Sequence, residues 1–121
     1  MKIADTHTGV VQLANCSFWG PHQKVIEAAG KGSVSLSQCN FCQWANGPRR
    51  EPEDAAAIPA VDVLSGSVII QGCMFHQDTL QIRLAEDVRS AVIMGNQHRG
   101  GVRIVNHAKG DVQIVGNVVV P

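Results

Sequence analysis

A chain of 121 residues, 45% apolar and 17% charged, has the size and composition of one globular domain rather than of a disordered segment. Ten Lys and Arg balance ten Asp and Glu, so no basic field draws in nucleic acid or anionic lipid. No apolar run approaches the ~20 residues that span a bilayer, so neither nucleic acid nor a membrane is expected as a partner.

The N-terminal stretch MKIADTHTG turns polar within a few residues and lacks the apolar core of a secretion signal. As written, the chain is expected to stay in the cytoplasm, unless it belongs to a longer exported protein. Lys2-Ile3-Ala4-Asp5 is the equivalent of Val25-Ile26-Glu27-Ala28 one unit later.

From Gly9 a phrase begins that governs the rest of the chain. Apolar side chains fall at the second, fourth, seventh and ninth positions after the glycine: Val11, Leu13, Cys16 and Phe18. The phrase returns from Gly32 as Val34, Leu36, Cys39 and Phe41, and from Gly66 as Val68, Ile70, Cys73 and Phe75. Weaker copies start at Arg89 (Ala91, Ile93, Asn96, His98) and Gly110 (Val112, Ile114, Asn117, Val119). The starts are 23, 34, 23 and 21 residues apart. That gives five units of about 22 residues, one carrying an insertion. The insertion is residues 45–56, ANGPRREPEDAA, rich in charge, Pro and Gly and without apolar period, as expected of a loop bulging from one coil of a single domain spanning 1–121.

A second alternating element separates the phrases, in Val61-Asp62-Val63, Leu80-Gln81-Ile82-Arg83-Leu84 and Val102-Arg103-Ile104. Strict alternation marks half-buried strands, and nothing has helical length. The expected architecture is therefore all-β: a right-handed parallel β-helix of about five coils, each built from short strands and turns. A leucine-rich-repeat-like solenoid is the alternative, because Val-x-Leu-x-x-Cys/Asn-x-Phe also fits half of its repeat. That repeat wants a Leu three residues before the Val, where Thr8, Lys31, Ser65, Val88 and Lys109 stand, so the β-helix fits better.

With phrases such as GSVIIQGCMFHQD and AVIMGNQHRGGVRI, the chain from Gly9 to Val119 resembles the C-terminal coils of right-handed β-helix proteins of the pectate-lyase-like superfamily. The phrases are stacking grammar, so the resemblance concerns fold. It implies a non-catalytic module, structural or carbohydrate-binding, with polysaccharide as the ligand class. The alternative it implies is a polysaccharide lyase or glycoside hydrolase working along the solenoid face, so enzymatic activity is left open.

In a parallel solenoid each repeat position becomes a ladder along the molecule. Cys16, Cys39, Cys73, Asn96 and Asn117 form one ladder, in which cysteine is expected to pack as a free thiol and Asn to bond turn amides. Cys39-x-x-Cys42 has half the spacing of a zinc site, but no second pair exists, so neither metal nor other cofactor is expected. Phe18, Phe41, Phe75, His98 and Val119 should stack in the core. One position on, Trp19, Cys42, His76, Arg99 and Val120 should face outward. An aromatic face beside Arg and His is what a sugar groove uses, so the candidate ligand-binding residues are Trp19, His76 and Arg99, with Trp44 and Asp78 on the same wall. The competing reading buries Trp19 and Trp44 beneath the loop. Carboxylates do not converge: Asp5 and Asp62 precede their phrases by four residues, but Ala28 breaks that column, and Glu51, Glu53 and Asp54 are loop charges. No catalytic residue is nominated.

Both ends of such a solenoid expose unpaired strand edges, and self-association through them is expected. Pro121 blunts the C-terminal edge because it cannot donate to a ladder.

Overall fold

Alternating apolar and polar residues drive each coil into strands, and five coils follow one another along the chain. The computed structural model describes residues 1–47 and 54–121. The first coil holds β1 (Lys2–Ile3), β2 (Val10–Ala14) and β3 (Ser17–Phe18); the second holds β4 (Ile26–Ala28), β5 (Ser33–Ser37) and β6 (Asn40–Phe41). In the third coil the first two strands fuse into β7 (Val61–Gln71), followed by β8 (Met74–Phe75). The fourth holds β9 (Ile82–Met94) and β10 (Gln97–Arg99), and the fifth β11 (Ile104–Asn106), β12 (Asp111–Val115) and β13 (Val118–Val120).

All pairings are parallel, and they make two sheets. One runs β1-β4-β7-β9-β11 on one half and β2-β5-β7-β9-β12 on the other; the second runs β3-β6-β8-β10-β13. The chain is a parallel β-solenoid of about five turns. The return path is built from strands, and the single helical element among the described residues is a 3₁₀ turn, Ala55–Ala57. That excludes the leucine-rich-repeat alternative. Among the described residues no helix is long and apolar enough to cross a membrane.

Register follows the repeated phrase residue for residue. Val11 pairs with Val34, Val34 with Val68, Val68 with Ala91 and Ala91 with Val112. The expected break between the alternating element and the phrase is absent from the third and fourth coils, where two register shifts, at Val63/Ser65 and Gly66/Ser67, carry β7 past β9 without ending either strand. Of the expected loop, residues 48–53, including Glu51 and Glu53, lie outside the described residues. Asp54 caps the 3₁₀ turn that follows, accepting the Ala56 N–H at 3.0 Å.

The corner after each phrase has a fixed shape. Asn15, Gln38, Gly72, Gly95 and Gly116 occupy one column, and all have positive φ, between 52° and 69°. Next comes the Cys/Asn ladder, whose rungs share one job. The Cys39 thiol donates to the Leu13 carbonyl and the Cys73 thiol to that of Leu36, each at 3.6 Å; the Asn96 and Asn117 amides donate to Ile70 and Ile93 at 3.1 and 3.0 Å. From Cys39 onward each rung thus ties its turn to the carbonyl of the preceding coil. Asn does more, since Asn96 Oδ1 also accepts the Cys73 N–H at 2.8 Å and Asn117 Oδ1 that of Asn96 at 3.1 Å. Burial pushes the Cys73 thiol up to about 11, so it stays protonated and serves as a donor.

Beneath this corner the rings stack. Phe18, Phe41 and Phe75 lie at centroid spacings of 5.2 and 4.8 Å, and His98 continues the pile 5.1 Å from Phe75, tilted by 9°. His98 is fully buried.

Candidate functional site

The ninth residue of each phrase points into the core, so the tenth faces out, and parallel register places these outward residues side by side. Trp19, Cys42, His76 and Arg99 line one groove of about 380 Å³, floored on its other side by Ser17, Asn40 and Gln43. Trp19 is 70% exposed. Its backbone is held, because the His22 ring nitrogen Nε2 lies 2.9 Å from the Trp19 carbonyl. Asn40 donates to Ser17 Oγ at 3.2 Å and turns its amide oxygen toward His76 Nε2 at 3.4 Å, which orients the imidazole.

The groove therefore brings together three of the five expected residues, Trp19, His76 and Arg99, and leaves two elsewhere. Trp44 is a correction. Strand β6 ends at Phe41, the period of two lapses there, and the chain turns the Trp44 ring inward, where it is 1% exposed. It meets the edge of Phe75 at 6.3 Å, its indole N–H donates to the Leu80 carbonyl at 2.9 Å, and Gln77 brackets its backbone from both sides. Asp78 is exposed but does not line the groove. It pairs with Arg103 at 2.9 Å. Trp19, for its part, is not covered as the competing reading had it. Ser17 and Asn40 join the groove through the neighbouring outward column, and Gln43 from the corner just past β6; none of the three was among the expected residues.

The groove's charge and acid–base character follow from this lining. Arg99 supplies a cation, and no carboxylate lines the groove among the described residues. Burial raises the Cys42 thiol above its ordinary value, which keeps it protonated. Such a thiol is a poor nucleophile. Cys39 faces the core and Cys42 the groove, so the two do not converge, and among the described residues no three His, Cys, Asp or Glu side chains cluster as metal ligands.

On the larger sheet, the second residues of β4, β7 and β9 form a charged column, Glu27, Asp62 and Arg83. Asp62 is fully buried between Lys24 Nζ at 2.6 Å and a two-point grip from Arg83 at 2.9 and 2.6 Å. Burial alone would push its carboxyl up, but the hydrogen bonds from Arg83 and Lys24 outweigh burial and hold it below the usual range. Burial likewise pulls Lys24 down, and Asp62 and Glu27 together more than reverse it. The register differs from the expected column of Asp5, Ala28 and Asp62: Glu27, not Ala28, stands beside Asp62, and Lys2, not Asp5, beside Glu27, a register that the aligned triplets IEA, VDV and IRL carry in their charged centres. With its charges neutralising one another, the cluster ties three coils together instead of presenting a free group. No protein-family model matches the chain, and neither a curated protein nor a solved structure matches it.

Proposed function

We propose that this solenoid is a non-catalytic module that binds a saccharide chain in the groove beneath Trp19, in the manner of the terminal coils of the pectate-lyase-like superfamily. The observation that carries the reading is the 70% exposed Trp19 ring standing over a groove of hydrogen-bonding side chains. An indole in water offers a flat apolar surface to the C–H face of a sugar, while Asn40, Gln43, His76 and Arg99 offer donors and acceptors to its hydroxyls. Arg99, with no carboxylate lining the groove among the described residues, favours a sugar bearing an acid group. Hydrolysis of a glycosidic bond canonically uses two carboxyl groups flanking it, and the described residues that line the groove include none, which supports binding without turnover.

Trp44 is buried, so a change in tryptophan emission on ligand addition reports on Trp19. Titration with acidic and neutral oligosaccharides is expected to give saturable quenching or a shift with the acidic set, and Trp19→Ala, read by calorimetric titration because it lacks the reporting ring, is expected to bind about tenfold more weakly, the loss of ~1.4 kcal/mol. Absence of binding across the panel, or a Trp19→Ala variant that binds like the parent, would overturn the reading. Unsaturated products or new reducing ends would instead establish a polysaccharide lyase or glycoside hydrolase.

A further inference from the structure

The columns that are sealed inside the solenoid lie open at its two end faces. Leu36, Ile70 and Ile93 are 0% exposed, whereas Ile114, next in their column, is 44% exposed. Phe41 and His98 are likewise 0% exposed, yet Val119 in the same column is 56% exposed. At the other face Val11, Leu13, Cys16 and Phe18 are only half-buried, and Val10 is 69% exposed.

We infer that the C-terminal face of one molecule stacks on the N-terminal face of a second copy, head to tail, continuing the solenoid in its own register. The partner is specified by the columns themselves. Extending the internal pairing by one coil sets Val112 on Val11, Ile114 on Leu13, Val119 on Phe18 and Ile104 on Met1, so these four inward contacts are apolar on both sides, while a fifth inward column sets Asn106 on Ile3. In the outward columns Gln113 meets Gln12, an amide pair that can bond along the ladder. The Cys/Asn rung also continues. Cys16 Sγ donates to its own Ala14 carbonyl at 3.5 Å; on the neighbour's Ile114 carbonyl it would make the bond that Cys39 makes on Leu13. Pro121 removes only one rung, the donor equivalent to Gly100 N–H, which reaches Val120 O at 2.9 Å.

The geometry selects head-to-tail over face-to-face pairing. Two C-terminal faces brought together would run their strands antiparallel and break every column, whereas stacking along the axis preserves parallel strands, corners and ring pile. A heterologous contact of this kind does not close on itself, so the product grows as an open stack. Stacking also sets Trp19 of one copy beside Val120 of the next and joins the outward columns into a continuous strip.

Sedimentation velocity on the full chain from about 1 to 200 μM tests this. The mass is expected to rise without plateau at a dimer. Leu13→Lys, which blocks the N-terminal face, and Ile114→Lys, which blocks the C-terminal face, should each be monomeric alone, while an equimolar mixture should form dimers and stop there. Because β2 could be disturbed by Leu13→Lys, a second pair uses exposed outward positions: Gln12→Lys/Gln113→Lys should associate at least tenfold more weakly than Gln12→Lys/Gln113→Glu. A wild-type mass of one chain at the top concentration overturns the inference. So does a mixture in which the two Lys variants stay monomeric, or equal association of the two double variants.

Discussion

At the scale of single residues, the fourth ring of the core pile raises a question, because histidine replaces phenylalanine where water is excluded. Gln81 answers half of it. Its amide nitrogen donates to the Gln77 and Gly101 carbonyls, each at 3.1 Å, so its oxygen is the acceptor for both His98 Nδ1 and the Arg103 N–H, each at 2.8 Å. His98 therefore carries its proton on Nδ1 when neutral, and Nε2 is a buried lone pair without a hydrogen-bond partner. Protonating that nitrogen would put a charge in the dry core. Burial accordingly pulls the His98 pKa below its ordinary value, with the Asn117 amide partly opposing. The unfolded chain then binds a proton that the folded chain refuses, so stability is full above about pH 6.5 and falls as pH drops through the folded value. The slope in that window is at most about 1.4 kcal/mol per pH unit. Urea unfolding at pH 7.5, 6.0 and 5.0 is expected to show this loss in the parent and a flatter profile in His98→Phe, which continues the ring pile without titrating. Parallel profiles in the two proteins would remove His98 as the source.

At the scale of elements, the recurring unit is a corner, and its demands differ from those of the strands. In each coil the left-handed residue donates its N–H to the next coil where there is one, as Gln38 does to Gln71 O at 3.0 Å and Gly95 to Val115 O at 3.2 Å. Glycine meets that φ without cost in three coils, whereas Gln38, at φ 52°, pays a Cβ clash of about 1 kcal/mol. Gln38→Gly keeps the N–H and removes the clash, though it adds freedom to the unfolded chain. A net gain of roughly 0.5–1 kcal/mol, or about 2–5 °C in Tm, is expected in a thermal melt. Unchanged or reduced stability would mean that the Gln38 side chain, which sits against Gly72, contributes packing of its own. The same contrast between strand and corner decides what the sequence revealed. Columns such as Val34–Val68 and Cys39–Cys73 were legible because a parallel register copies side-chain chemistry from coil to coil. Trp19, His76 and Arg99 were legible for the same reason. Trp44 and Gln81 were not: alternation would place Trp44 on the outer wall and Gln81 outside Ile82, yet Trp44 lies past the end of β6 and Gln81 just before the start of β9, at corners where tertiary hydrogen bonds and not period set direction. The fusion of strands in β7 and β9 was hidden too, because register shifts leave no mark on composition.

At the scale of the whole molecule, each coil packs mainly on its neighbours, with Arg89 of the fourth coil reaching across to the Lys31 carbonyl of the second, so stability is largely a sum along one axis and declines toward both ends. The middle coils hold the sealed core and the unbroken strands β7 and β9. Asp62, gripped by Lys24 and Arg83, adds ties across the second, third and fourth coils. The first coil covers its apolar residues on one side only, and so does the fifth. Local opening should therefore start at the ends and cost progressively more inward. In amide hydrogen exchange at low micromolar concentration, β7 and β9 are expected to exchange slowest and β2, β3, β12 and β13 fastest. If the end faces stack on further copies, raising the concentration should slow exchange in β2 and β12 and leave β7 and β9 unchanged, since those strands already have both neighbours. Equal protection in all coils would mean that the solenoid opens as one cooperative unit. Opening from the ends also gives the groove an uneven footing: Trp19 stands on the first coil and Arg99 on the fourth, so a ligand bridging the two would clamp the weakest coil to one of the strongest, and its binding should appear as slowed exchange in β3.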